Sequence, residues 1–315
     1  MALSNDERRW IEQKLDRCDA ALVDKPTLSG VFDLDWRNAF RKEALSVNST
    51  HESTYPAVYA VPDYLPSLPG LHDRLERGAT LSLSKLEPTD RSRLIAHLRK
   101  EGAQCEVELL LACGFASEFG EDALFAPQGT PDEPRPEFSI GVDDIRVDVE
   151  AKTLFDSEST RQNWKAAIAA GSNCWVSGDR TRQDLIRLRR TVVSAITQGR
   201  CSVPKIVVIS QYAGWPNPMD AADLVREVAI DPGNVNVCST QSPLAVAYAR
   251  LNCIQGVWFN DDVAKAHRVS VAQIERIRRA IGESFYARSD GMLLTEQQDD
   301  QQHSDLIWKV RAGGS

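Results

Sequence analysis

From Ile145 to Lys152 apolar and charged residues alternate without a break: Ile145, Val147, Val149 and Ala151 against Arg146, Asp148, Glu150 and Lys152. A period of two puts the first set on one face of a β-strand and the second on the other. Asp143 and Asp144 just before it form the expected turn, so residues 138–151 should fold as a hairpin. Val142 then pairs with Ile145, and counting outward sets Glu137 opposite Glu150. Directly opposed residues share a face, so these two carboxylates would stand with their β-carbons about 5 Å apart. Like charges so placed destabilise a hairpin. A divalent cation reverses that sign, because hard cations such as Mg2+ take oxygen ligands. Lys152, two positions beyond Glu150 on the same face, could orient or deprotonate a metal-bound water, or balance phosphate charge during in-line attack. Asp148 shares the face, as a further ligand or merely as a neighbour.

The elements around this hairpin follow from periodicity and punctuation. Residues 105–113 (CEVELLLAC) read as a helix that buries Val107, Leu110 and Leu111 and leaves Glu106 off that face. Gly114 stands where a helix C-terminal glycine belongs. After a polar, partly irregular stretch (155–183), residues 184–198 read as a helix with Leu185, Leu188, Val192 and Ile196 inside, and 205–210 as a buried strand. Residues 220–228 and 243–251 read as helices, 254–259 as a strand, and 271–281 as an amphipathic helix. From Met292 a short strand or coil is expected. At the other end, residues 5–22 form an amphipathic helix with a Ser4/Glu7 capping box and with Ile11, Leu15, Cys18 and Leu22 on one face. Thr89 and Asp90 open another helix carrying Leu94, Ile95 and Leu98. The proline-rich stretches 55–70 and 127–136 are loops by composition. The order implies a mixed α/β sandwich. It divides into a helical and irregular extension (1–88), a core (89–262) and a C-terminal helix and strand packing on that core (263–315).

Pro136, Glu137 and Phe138, followed twelve residues later by Glu150, Ala151 and Lys152 at the end of a strand, resemble the PD-(D/E)xK signature of restriction-endonuclease-like nucleases. The helix bearing Glu106 and Glu108 resembles that superfamily's first core helix, where a glutamate often assists metal binding. The later helix 184–198 and strand 205–210 match its next elements in order, so the resemblance spans roughly residues 100–260. Glutamate stands at position 137 where the family usually has aspartate. The resemblance implies a mixed β-sheet flanked by helices, with Mg2+ or Mn2+ held by Glu137, Glu150 and the backbone carbonyl of Ala151. It implies Lys152 handling the water and a helix glutamate assisting. Glu106 is the expected one, since it lies off the buried stripe near the helix start, with Glu108 as the other candidate. The implied activity is hydrolysis of phosphodiester bonds, in DNA ahead of RNA. The alternative is a catalytically inactive scaffold of the same fold that binds nucleic acid or a protein partner.

Charge and composition narrow this further. A net charge of −8 argues against coating nucleic acid by bulk electrostatics. A local grip is still available from Arg180, Arg182, Arg187, Arg189 and Arg190, with Arg187 and Arg190, one turn apart, best placed for phosphate. The same run also fits the solvated face of a helix. Trp164, Trp175 and Trp215 could stack on bases or fill a core. Seven scattered cysteines and five histidines show no paired spacing of a zinc or disulfide framework, and read as belonging to a cytoplasmic protein with reduced thiols. No apolar run reaches the roughly 18 residues of a membrane span. P-loop, dinucleotide-glycine and GxSxG patterns are absent, so no nucleotide cofactor is expected. Homodimeric assembly stays open.

Overall fold

The computed structural model describes residues 5–45, 70–100, 104–124, 136, 138–154, 178–197, 203–211, 218–230, 242–250 and 253–285. At its centre lies a mixed sheet whose strands are ordered as in the chain: β1 (Ala123–Leu124), β2 (Phe138–Val142), β3 (Ile145–Leu154), β4 (Lys205–Gln211), β5 (Ala245–Arg250) and β6 (Cys253–Phe259). β1, β2 and β3 pair antiparallel, β3 to β5 run parallel, and β6 returns antiparallel to β5. Helices cover the sheet, which makes this an α/β protein.

Parallel strands covered on both faces read as near-continuous apolar runs. That explains the sequence KIVVISQ of β4, buried along its whole length. It also explains why the helix expected over residues 243–251 is instead strand β5. A short apolar run rich in alanine fits either state by periodicity. Between β4 and β6, however, residues 245–249 are buried in the ladder and no amphipathic pattern is needed.

The β2–β3 hairpin has the register that the sequence dictates, from Val142 opposite Ile145 to Phe138 opposite Val149. Asp143 takes a positive φ of 53°, which aspartate tolerates better than most residues because its short side chain bonds locally. The turn is also gripped from outside. Gln273 Nε2 donates to the Val142 carbonyl (3.2 Å) and to Asp143 Oδ2 (2.9 Å), and Arg276 reaches Asp143 Oδ1 at 3.4 Å. Gln273 is itself fixed as the third residue of a capping box with Ser270 at the start of helix α10 (Val271–Ser284).

Helix α6 (Gln104–Phe119) lies against one face of the sheet beside α10. Their shared core joins Val107, Leu111, Phe115 and Phe119 to Phe138, Val147, Val149, Ile206 and Val208. Gly114 does not end α6, which runs on to Phe119. A β-carbon there would fall 2.1 Å from Ser284 Oγ and 2.4 Å from the Ala280 carbonyl oxygen. The glycine therefore serves the close approach of α6 to α10. The opposite face carries α7 (Gly178–Thr197) and α8 (Pro218–Ile230), which cover Leu154, Val207, Ile209, Val246 and Tyr248. Helix α7 begins six residues before the expected start at 184, and its inner stripe is Leu188, Val192, Ala195 and Ile196.

Helices α1 (Asn5–Leu22), α2 (Pro26–Val31), α3 (Leu34–Ala44), α4 (Leu71–Ser84) and α5 (Pro88–Lys100) surround a second core. Leu15, Cys18 and Leu22 bury as the amphipathic spacing requires. This core also takes Leu98 from α5 and Cys105, Leu109 and Leu110 from α6. Helix α6 is therefore shared by the helical layer and the sheet, and the cores meet along it rather than dividing at residue 88. Short α9 (Asp261–Ala266) links β6 to α10. The Ser4 cap, the loops over 55–69 and 127–135 and the strand expected from Met292 lie outside the described residues.

Candidate active site

Strand β3 has two unlike faces. Val147, Val149 and Ala151 point into the core under α6 and α10. Asp148, Glu150 and Lys152 point to the side of α7, as their ladder partners show. Glu150 lies opposite Val207 and Lys152 opposite Ile209, and both partners belong to the core beneath α7 and α8.

Each member of the polar row is held differently. Asp148, 3% exposed, accepts from Ser139 Oγ (2.7 Å) and Arg146 Nε (3.2 Å), and Arg146 Nη2 also donates to Ser139 (2.8 Å). A buried carboxylate with such donors is satisfied in place. Asp148 is thus a neighbour that braces the hairpin. Glu150, 7% exposed, has Lys152 Nζ 2.5 Å from its Oε1. Burying a charge without a partner costs several kcal/mol, so Lys152 is what makes the buried Glu150 tolerable. The lysine is partly exposed, with 29% of its side chain accessible. One end of the pair therefore faces solvent and the other the sheet.

The backbone beside them is also oriented. The Asp148 amide donates to the Pro204 carbonyl at 2.9 Å, on the β4 side. Backbone groups alternate sides along a strand. The N–H and C=O of Ala151 therefore point away from β4, past Phe138, where described β2 begins. Glu150, Lys152 and the Ala151 carbonyl all lie at this end of the hairpin. Glu137, the remaining member of the expected set, lies outside the described residues, as do Trp164, Trp175 and Trp215.

Helix α6 differs from the expectation. Glu106 is fully buried rather than off the buried surface, because α6 is covered by α4 and α10 as well as by the sheet. Residues three and four apart share a helix face. Glu106 therefore goes with Leu109 and Leu110, which pack into the N-terminal helical core. Glu108 lies between the two sides, one turn from Leu111 and Ala112, which pack on the sheet, and one turn from Cys105 of the helical core, and its carboxylate meets His97 Nε2 at 3.3 Å. Arg187 and Arg190 are exposed on α7, off its buried stripe; Arg189 is exposed too. The side chains of Arg180 and Arg182 lie outside the description.

Further polar groups in this layer carry no signal in the sequence. Lys205 is buried and donates to the Ile196 carbonyl (3.0 Å), stitching β4 to the end of α7. Tyr248 lies two strands from Lys152, in the same row through Ile209. Its hydroxyl donates to Gln211 Oε1, and burial pushes its ionisation well above the ordinary tyrosine range. Only the sheet register brings them to one face.

No family model, curated protein or solved structure matches this chain. Among the described residues no helix is long and apolar enough to cross a membrane.

Proposed function

We propose that the protein is a divalent-metal-dependent nuclease with a restriction-endonuclease-like core, hydrolysing phosphodiester bonds in DNA ahead of RNA. The observation that carries this reading is the buried Glu150 carboxylate with the Lys152 ammonium on it, at the end of a hairpin beside an outward-turned Ala151 carbonyl. A carboxylate and a carbonyl are the hard oxygen donors that Mg2+ or Mn2+ requires, so the donor set fits such an ion. Glu137, Glu150 and the Ala151 carbonyl would hold it. Bound there, the ion would supply Lewis-acid stabilisation of charge on the phosphate. Lys152 orients the attacking water and balances the charge of the phosphate, and its accessible end suits contact with a substrate. Arg187 and Arg190 supply phosphate contacts from the exposed face of α7. The order α6, hairpin, α7, β4 is the one expected of that family, and a cytoplasmic setting agrees with Cys18, Cys105, Cys113 and Cys253 forming no disulfide among the described residues.

Cleavage of DNA by the full chain with Mg2+ or Mn2+, compared with Glu150→Ala and Lys152→Ala, is the test. Cleavage should fall to background in both variants, while circular dichroism shows the fold retained. Undiminished cleavage in either would refute the assignment. Wild-type chain that binds DNA without cutting it would replace the enzyme with the binding scaffold.

A further inference from the structure

Outside the β3 site, one cluster brings together three side chains of metal-binding type. His97 lies in the last turn of α5, and Cys105 and Glu108 lie in the first turns of α6, three residues apart and hence on adjoining positions of one face. His97 Nε2 stands 3.3 Å from Glu108 Oε1. Cys105 Sγ lies 3.8 Å from the His97 carbonyl oxygen, and the three ligand atoms all fall within 4.8 Å of one another. Among the described residues it is the only such group.

We propose that His97, Cys105 and Glu108 form a zinc site apart from the Glu150–Lys152 pair, so that Glu108, the other helix-glutamate candidate, serves zinc and not the nuclease ion. One edge of the cluster has the length a tetrahedral ion asks for, and the other two lie within 4.8 Å. Ligands at 2.0–2.1 Å from a tetrahedral centre are about 3.3 Å apart, and a sulfur at 2.3 Å sits about 3.6 Å from a nitrogen or oxygen. The imidazole–carboxylate edge already has that length, and Sγ, at no more than 4.8 Å from the others, needs to close by up to about 1.2 Å. Hydrogen bonding alone accounts for the 3.3 Å edge and for the thiol on the His97 carbonyl, and what points to an ion is that all three ligand types face one small space. Thiolate and imidazole select zinc over magnesium, which prefers oxygen alone. A thiolate and a carboxylate together balance the ion's two charges. Binding requires the Cys105 thiol to lose its proton to solvent. The His97 and Glu108 side chains are 16% and 17% exposed while Cys105 is buried, so water can reach the fourth position from one side. An ion here would clip α5 to α6, the helix shared by both cores.

The test is titration of the reduced, chelator-stripped full chain with Zn2+ and with Co2+, in excess Mg2+ to occupy the other centre. One equivalent should bind, with an enthalpy that depends on the buffer because a proton is released. The Co2+ form should show a thiolate-to-cobalt charge-transfer band that Cys105→Ser abolishes. His97→Ala and Glu108→Gln should each weaken binding at least about tenfold, with circular dichroism confirming the fold. Wild-type chain that takes up no Zn2+ would overturn the proposal without recourse to any variant. So would a cobalt spectrum without the charge-transfer band, or one unchanged in folded Cys105→Ser. Loss of DNA cleavage in Glu150→Ala leaves this site unaffected, so the two proposals fail separately.

Discussion

The two faces of β3 are built on opposite terms. Toward α6 and α10 the strand offers Val147, Val149 and Ala151 to a dry core closed by Phe115 and Phe138 at a ring separation of 5.3 Å. Toward α7 it offers Asp148, Glu150 and Lys152, all at least partly buried and all charged. The first face does what a sheet needs, since each large apolar side chain fully buried stabilises by about 1.5–3 kcal/mol. The second adds little, because a buried ion pair roughly cancels its own desolvation. The sheet could form with apolar residues in that row. Charged groups that the fold does not require are the ones to examine for chemistry, and within the row Asp148 is held by Ser139 and Arg146 while Glu150 and Lys152 hold each other.

That contrast yields a graded set of expectations. Phe115→Ala should be the most damaging to stability, by about 3–5 kcal/mol, as read from urea unfolding, with Mn2+ affinity of the folded protein unchanged. A changed affinity would mean that the faces are not independent. Gly114→Val should cost about 1–3 kcal/mol by overpacking, since the three atoms its β-carbon would strike all belong to α10. An unchanged urea midpoint would show that the helices are less closely seated. On the polar face, Ser139→Ala removes one of two donors to Asp148 and should cost about 1 kcal/mol. A loss as large as that of Phe115→Ala would make the row structural.

The smallest effect concerns pH at the edge of the dry face. The hydrogen bond from Arg279 holds the Glu118 carboxyl below the usual glutamate range, against the opposing effect of burial and with a smaller contribution from the Arg276 hydrogen bond. A depressed carboxyl stabilises fully above the unfolded value of about 4.3 and loses that contribution as pH falls through the lower folded value. Glu118→Gln should therefore lower stability at neutral pH slightly and flatten its fall in acid. An acid-unfolding curve identical to wild type would show the bridge to be inert.

How much of this is legible in the sequence depends on the range of the interaction. The hairpin and its register are local, fixed by strict alternation and an Asp143–Asp144 turn, and they are found as expected. Gly114 is ambiguous locally, because a glycine that ends a helix and one that admits a neighbouring helix look the same until α10 is in place. The choice between Glu106 and Glu108 turned on which side of α6 was exposed, yet three neighbours cover the helix. Strand β5 resembles a helix because its alanines suit both states. His97, Cys105 and Glu108 have no recognisable spacing, since they come from two helices and only the placement of α5 beside α6 brings them together.

An anomalous difference map from a crystal soaked in Mn2+ tests the central claim most directly. A peak is expected about 2.1 Å from a Glu150 carboxylate oxygen, shared with Glu137 and the Ala151 carbonyl, with Lys152 withdrawn from the carboxylate toward solvent. A crystal that takes up Mn2+ elsewhere while Glu150 remains closed on Lys152 would contradict it.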